Sequence, residues 1–202
     1  AAPETTLPRP QGPPGWLYVP AWRPAPSSAK AKPVRRWLVF ADAAGFGQRI
    51  AERLGDSCIV VTAADRFAAR GDRRFEVNPS SLSDLSALLA ALRSDPPDGI
   101  VHTLSVAPPA SSNRTEAALG SGYFSVTALV QALTTAGLSA VQLNVVTVGA
   151  TAARGKPSSP ISALLCGLGK VLPFEYPELG FRQIDLAIQE LQTEDLRRLL
   201  LT

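Results

Sequence analysis

The sequence predicts an α/β fold, a mostly parallel sheet with helices on both faces. Three observations carry this. Short, continuously apolar runs recur along the chain and read as strands buried on both sides. Apolar stripes at helical spacing alternate with them, the pattern of βαβ units. Glycine, proline and Ser-x-x-Asp signals fall where these elements should start or stop. The 202 residues are 46 % apolar and 18 % charged, which supports one domain with a sizeable core and excludes general disorder.

The first element is Trp37-Leu38-Val39-Phe40, an apolar run with no polar alternation. Gly45-Phe46-Gly47 follows, then a short helix through Ile50, Ala51 and Leu54 closed by Gly55. Cys58-Ile59-Val60-Val61 is the second strand and Phe75-Glu76-Val77 a short third. Ser81-Leu82-Ser83-Asp84 resembles a capping box with Asp in place of Glu, and Leu82, Leu85, Leu88, Leu89 and Leu92 form one helical stripe. Gly99-Ile100-Val101-His102-Thr103-Leu104 is the fourth strand. A longer helix spans about 115–136 and ends at Gly137, before the fifth strand, Leu143 to Val148. Ile161 to Val171 is a helix stopped by Pro173, and Phe181 to Leu186 is the sixth strand.

The flanks read differently. Nine of the 18 prolines fall in the first 33 residues, so 1–15 reads as a semi-rigid linker. Within 16–33, Trp16-Leu17-Tyr18-Val19 and Trp22 have the density of a short strand or anchor laid on the body, and Pro20 and Pro24 confine it to an edge. The domain proper is expected over 34–202. The chain has no methionine, and the apolar helix begun at Thr193-Glu194-Asp195 has no closing Gly, Asn or Pro, so a segment of a longer polypeptide is expected.

Composition removes several classes of function. The net charge of +3 is spread over scattered basic residues, with no stripe or aromatic interleaving for nucleic acid. No apolar run reaches the roughly 18 residues of a membrane span, and Ala1-Ala2-Pro3-Glu4 does not begin a signal peptide. A cytoplasmic protein is expected. Two cysteines and one histidine allow no metal spacing; Cys58 and Cys166 read as small core residues.

The first β–α turn is where a dinucleotide fold binds its ligand, through three glycines for the turn, the pyrophosphate approach and helix packing. Here only Gly45 and Gly47 remain, a degenerate remnant, and the third position of that spacing is Ile50. Asp42 places a negative charge where phosphate would sit. A reductase of this class also needs Tyr and Lys four apart on one helix face, so that the ammonium lowers the phenol pKa. Four residues after Tyr18, Tyr123 and Tyr176 stand Trp22, Thr127 and Gly180, and none of Lys30, Lys32, Lys156 and Lys170 has a Tyr four positions before it. His102 reads as a hydrogen-bonded core or rim residue and Asp185 as a turn cap. Ser105 and Ser125 have no histidine in a triad arrangement. Gly167-Leu168-Gly169-Lys170 resembles a phosphate loop but lacks its spacing and its Ser/Thr, and reads as close helix packing. No catalytic, cofactor-binding or metal residue is assigned.

These segments in their order resemble the structural half of a ketoreductase from modular polyketide synthases. The likeness rests on Leu17-Tyr18-Val19-Pro20-Ala21-Trp22, Trp37 to Asp42 with Gly45-Phe46-Gly47, and Asp98 to His102. It continues in Leu165 to Lys170, Glu175-Tyr176-Pro177-Glu178-Leu179 and Phe181 to Leu186. The resemblance implies a truncated Rossmann-like fold that holds no cofactor and performs no chemistry by itself. It implies, as partner, the catalytic half that binds NADPH, with an enoylreductase, dehydratase or C-methyltransferase as further neighbours in the same module. The alternative is a free-standing or degenerate NAD(P)-dependent short-chain reductase.

Overall fold

The computed structural model describes residues 23, 34–107, 113–138, 140–153 and 159–192. The expected linker, the Trp16–Trp22 anchor, Lys156 and the helix from Thr193 lie outside these residues.

The described residues form one seven-stranded sheet in the order β3-β4-β2-β1-β5-β6-β7. Its strands are β1 (Trp37–Ala41), β2 (Cys58–Ala63), β3 (Ala68–Ala69), β4 (Arg74–Val77), β5 (Gly99–His102), β6 (Gln142–Val148) and β7 (Gly180–Leu186). All pairings are parallel except β3 with β4. The six expected strands are present. The two-residue β3 is additional; two alanines give no apolar run to read, and it exists by pairing back on β4. All five residues of β1 are buried, as its unbroken apolar run requires of a central strand.

Helices cover both faces unequally. Leu38 and Phe40 point to a core shared with α2 (Leu82–Ala91), α4 (Ser125–Thr135) and α5 (Pro160–Glu175). Trp37, Val39 and Ala41 point to the other face, against Phe46, Ile50 and Ala51 of α1 (Phe46–Leu54), with Leu191 of the 3₁₀ turn at Ile188–Gln192 beside them.

The expected helix near 115–136 is continuous but not uniform. It runs as α3 (Arg114–Leu119), a π segment (Gly120–Phe124) and α4. Gly137, at φ 70°, closes it: Leu138 N–H donates to the Leu133 carbonyl and Gly137 N–H to that of Thr134. At the start of α2, Ser81 accepts from Asp84 N–H, but the Asp84 carboxylate reaches past Ser81 to Asn78 N–H. The box therefore ties the helix to the preceding turn.

Two expectations need correction. Pro173 does not stop α5, which continues to Glu175. The proline lies in the last turn, where its missing N–H forfeits a single i−4 bond, and Tyr176 N–H still closes on the Leu172 carbonyl at 2.8 Å. Cys166 is not a core residue; it is half-buried on α5 with Gln183 Nε2 3.4 Å from its sulfur, whereas Cys58 is buried in β2.

Candidate functional site

In an open α/β sheet the ligand crevice opens where the chain, having wound outward from one strand, returns to its other side. Here that point lies between β1 and β5. The chain leaves β1 for β2 and β4, then comes back to pair β5 with β1. The carboxyl ends of these strands carry Asp42 and Thr103.

Gly45 takes φ 80° at the start of α1 and contributes no side-chain cap. The cap comes from Asp42 instead, only 6 % exposed. Its Oδ1 accepts from Ala44 N–H at 2.9 Å and Phe46 N–H at 3.3 Å, and its Oδ2 from Gly47 N–H at 2.7 Å. These are the donors a phosphate would use at a helix N-terminus. Sequence reasoning placed Asp42 beside the anion position as a repelling charge; the carboxylate occupies that position.

Thr103, which sequence reasoning missed, locks the arrangement across the crevice. Its Oγ1 shares a hydrogen between Asp42 Oδ2 (3.0 Å) and the Phe40 carbonyl (2.8 Å) and accepts from Asp42 N–H at 3.1 Å. Ala43 N–H adds a bond to the Ala107 carbonyl. The only sequence signal was a hydroxyl directly after β5, meaningful once β5 is known to lie beside β1. A pyrophosphate does not fit this turn: its amides are engaged, and a second anion would meet a buried carboxylate.

The glycine pattern also needs correction. The packing position is filled by Gly47, not by residue 50. A Cβ on Gly47 would stand 2.7 Å from Ala41 Cα and closer still to Thr103 Oγ1. Ile50 is a buried core residue of α1.

His102, at the end of β5, is fully buried beneath the Phe40 ring. Its Nε2 lies 2.8 Å from Ser125 Oγ, and Nδ1 is a buried atom without a partner among the described residues. Burial pushes its pKa down to about 4, so it is neutral at pH 7. It is a core histidine. Asp185 caps a turn as expected, accepting from Ala150 N–H, Thr151 N–H, Thr151 Oγ1 and Thr147 Oγ1 at 2.8–3.0 Å.

A cavity of about 250 Å³ opens beyond β5 and β6, lined by Ser105, Ala118, Gly122, Val148, Ser159 and Ser162 among others. Two of its hydroxyls are engaged within the protein: Ser105 donates to the Val146 carbonyl and Ser159 to the Ser162 hydroxyl. Among the described residues its lining contains no general acid or base. Lys170 and Tyr176 lie at the far end of α5, and Gly167-Leu168-Gly169-Lys170 is mid-helix rather than a loop. A Cβ on Gly169 would come within 3.0 Å of the Phe181 ring, the close packing expected, while Gly167 faces open space. Burial pushes the Cys58 thiol up to about 11, the wrong direction for a nucleophile. Among the described residues no cluster of three His, Cys, Asp or Glu side chains could hold a metal ion, and no helix is long and apolar enough to cross a membrane.

Solved structures with this fold include an adenylation, ketoreductase and pseudo Asub multidomain structure of a keto acid-selecting NRPS module. It is 22 % identical, with TM-score 0.72, over 86 % of this chain and 15 % of that one. An N-terminal ketoreductase from the macrolactin assembly line is 19 % identical, with TM-score 0.64, over 82 % of this chain and 36 % of that one. A short-chain dehydrogenase/reductase from Vibrio parahaemolyticus is 12 % identical, with TM-score 0.58, over 81 % and 90 %. The chain thus spans a minor part of the first two. At these identities the likeness shows a Rossmann-like α/β fold. No curated protein matches the sequence. Residues 36–202 match the family model described as beta-ketoacyl synthase-like, N-terminal, and the chain belongs to that family.

Proposed function

We propose that this chain is the non-catalytic structural half of a polyketide synthase ketoreductase region, and that it stabilises the adjacent NADPH-binding half. The observation that carries the reading is the Asp42 carboxylate filling the phosphate cradle and bonded across the crevice to Thr103. A Rossmann-like domain whose ligand amides are satisfied internally keeps its architecture without needing a nucleotide. Ketoreductase modules among the structural neighbours support the setting.

The outer helical face supports the partner. Leu164, Val171 and Phe174 of α5 and Phe124 beside α4 are exposed, Phe174 by 88 %. Helix α4 carries no charged residue, and on α5 the exposed Lys170 and Glu175 flank the apolar side chains, an apolar patch with charges at its margin. In this reading residues 34–202 are the structural subdomain of a cytoplasmic multidomain synthase, 1–15 a linker and 16–33 an anchor.

Two measurements test it. Calorimetric titration of the isolated chain with NADPH is expected to show no binding in the low micromolar range, and a dissociation constant in that range overturns the reading. Co-expression with the catalytic half of the same protein is expected to raise that half's soluble yield and ketone reduction. Val171→Asp with Phe174→Asp should abolish the gain while leaving this domain's own stability within about 0.5 kcal/mol, as both side chains are exposed. A catalytic half that works equally well alone refutes the supporting role.

A further inference from the structure

We propose that the π turn at Gly120–Phe124 is an insertion kept for association rather than for folding, and that the residue it adds in effect is Phe124, a docking side chain for the catalytic half. This rests on the supporting role proposed above.

A π turn holds one residue more than the α turn it replaces. Removing one residue therefore restores an α-helix with both flanking segments where they stand. Neither segment needs the extra residue. Helix α4 is placed by Val126, Leu129 and Leu133, all buried, and by Ser125 against His102. Helix α3 is started by Asn113, whose side chain accepts from Glu116 N–H. The two glycines of the turn are poor helix formers, and no close contact demands them. A Cβ on Gly120 would meet Ser80 Oγ at 3.7 Å and one on Gly122 the Ser105 Cβ at 3.6 Å, ordinary packing distances. The widened turn is nonetheless tied down. The Gly120 carbonyl accepts from Ser125 N–H, five residues on, and from the Ser80 hydroxyl at 2.9 Å. Ser121 Oγ donates to the Ala117 carbonyl and Thr127 Oγ1 to that of Tyr123, each at 2.9 Å.

The side chains of the turn divide. Ser121 and Gly122 are buried, whereas Phe124 is 52 % exposed. Tyr123 meets Phe124 edge-on with ring centroids 5.7 Å apart, and among the described residues neither ring joins a core layer. Tyr123 lines a groove of about 400 Å³ between α4 and α5, continued by Thr127 and Gln131 on one side and Leu164, Leu168 and Val171 on the other. Among the described residues Glu175 is the one charge that lines it. The surface that fits is an apolar helix face with a Lys or Arg opposite Glu175. Phe124, an exposed aromatic next to such a groove, has the character of an anchor.

Binding of the intact chain to the catalytic half of the same protein, followed by biolayer interferometry beside thermal melts, tests this. Deletion of Phe124 should melt at or above the parent and bind at least about 10-fold more weakly. Phe124→Ala, which keeps the turn, should bind about as weakly with an unchanged melting temperature. A parent that does not bind refutes the supporting role, and this inference with it. Binding by the parent that either variant retains overturns this inference alone. So does a deletion that melts lower than the parent or fails to fold, because the fold then needs the turn.

Discussion

Replacing Asp42 by Ala tests the claim that this domain carries its own anion. The carboxylate is the sole side-chain acceptor for Ala44, Phe46 and Gly47 N–H, at 2.9, 3.3 and 2.7 Å, and it also meets Thr103 Oγ1. A hydrogen bond to a charged group contributes about 1.5–3 kcal/mol net, and loss of an N-cap costs about 0.5–2 kcal/mol. These bonds share one acceptor and are not additive, so the expected loss is about 2–4 kcal/mol. For a domain of this size that is a fall in Tm of roughly 5–15 °C. Asp42→Asn should fall between, since its NH₂ presents a donor to amides that need an acceptor. Urea denaturation followed by circular dichroism measures both. Inorganic phosphate should then stabilise Asp42→Ala and leave the parent unmoved, because only the variant offers unsatisfied amides. A variant within about 0.5 kcal/mol of the parent, or one indifferent to phosphate, refutes the reasoning.

Two further outcomes follow from burial. His102 is neutral in the fold with a pKa of about 4, against 6.5 for the free side chain. Between these values the unfolded chain binds more protons, so stability is complete above about pH 6.5 and declines as pH falls towards 4, by up to about 3 kcal/mol. Urea midpoints from pH 7 to 4.5 should show this slope, and His102→Leu should flatten it; an unchanged slope counts against the burial argument. Gly47→Ala should cost about 1–3 kcal/mol by overpacking α1 on Ala41 and Thr103, read as a lower thermal midpoint, and a neutral effect would mean the helix has room to shift.

The sheet was legible because β1, β2, β5 and most of β6 are apolar runs whose burial leaves little choice of conformation, while Phe181, Ile184 and Leu186 mark β7. What was not legible depended on neighbours distant in sequence. β3 has no pattern of its own and is defined by Phe75 and Glu76 opposite. Pro173 reads as a stop under local rules, yet only its place within the last turn decides the effect. The site was half legible. Asp42 and the degenerate glycines stood out, but repulsion and occupation differ only in where a carboxylate points. Thr103 is 61 residues away and joins it only through the return of β5 to β1. Gly47 was misjudged because the dinucleotide spacing was imposed on a turn whose packing contact comes earlier.

Asp42 and Asp185 share a consequence for the whole domain. Both sit at the carboxyl ends of strands, and both spend their oxygens on backbone N–H groups and threonine hydroxyls of the adjoining loops. That rim is where such a sheet would offer free amides to a ligand. Free amides are costly to bury and a bound nucleotide would satisfy them only part of the time, so a rim built for binding remains a weak point without its ligand. An internal carboxylate satisfies them permanently. Under the proposed function, this is the arrangement expected of a domain that holds a neighbour in place. It also predicts where substitutions will be felt: at Asp42, Thr103 and Asp185 they should lower the stability of the pair and leave the catalytic half's chemical step untouched.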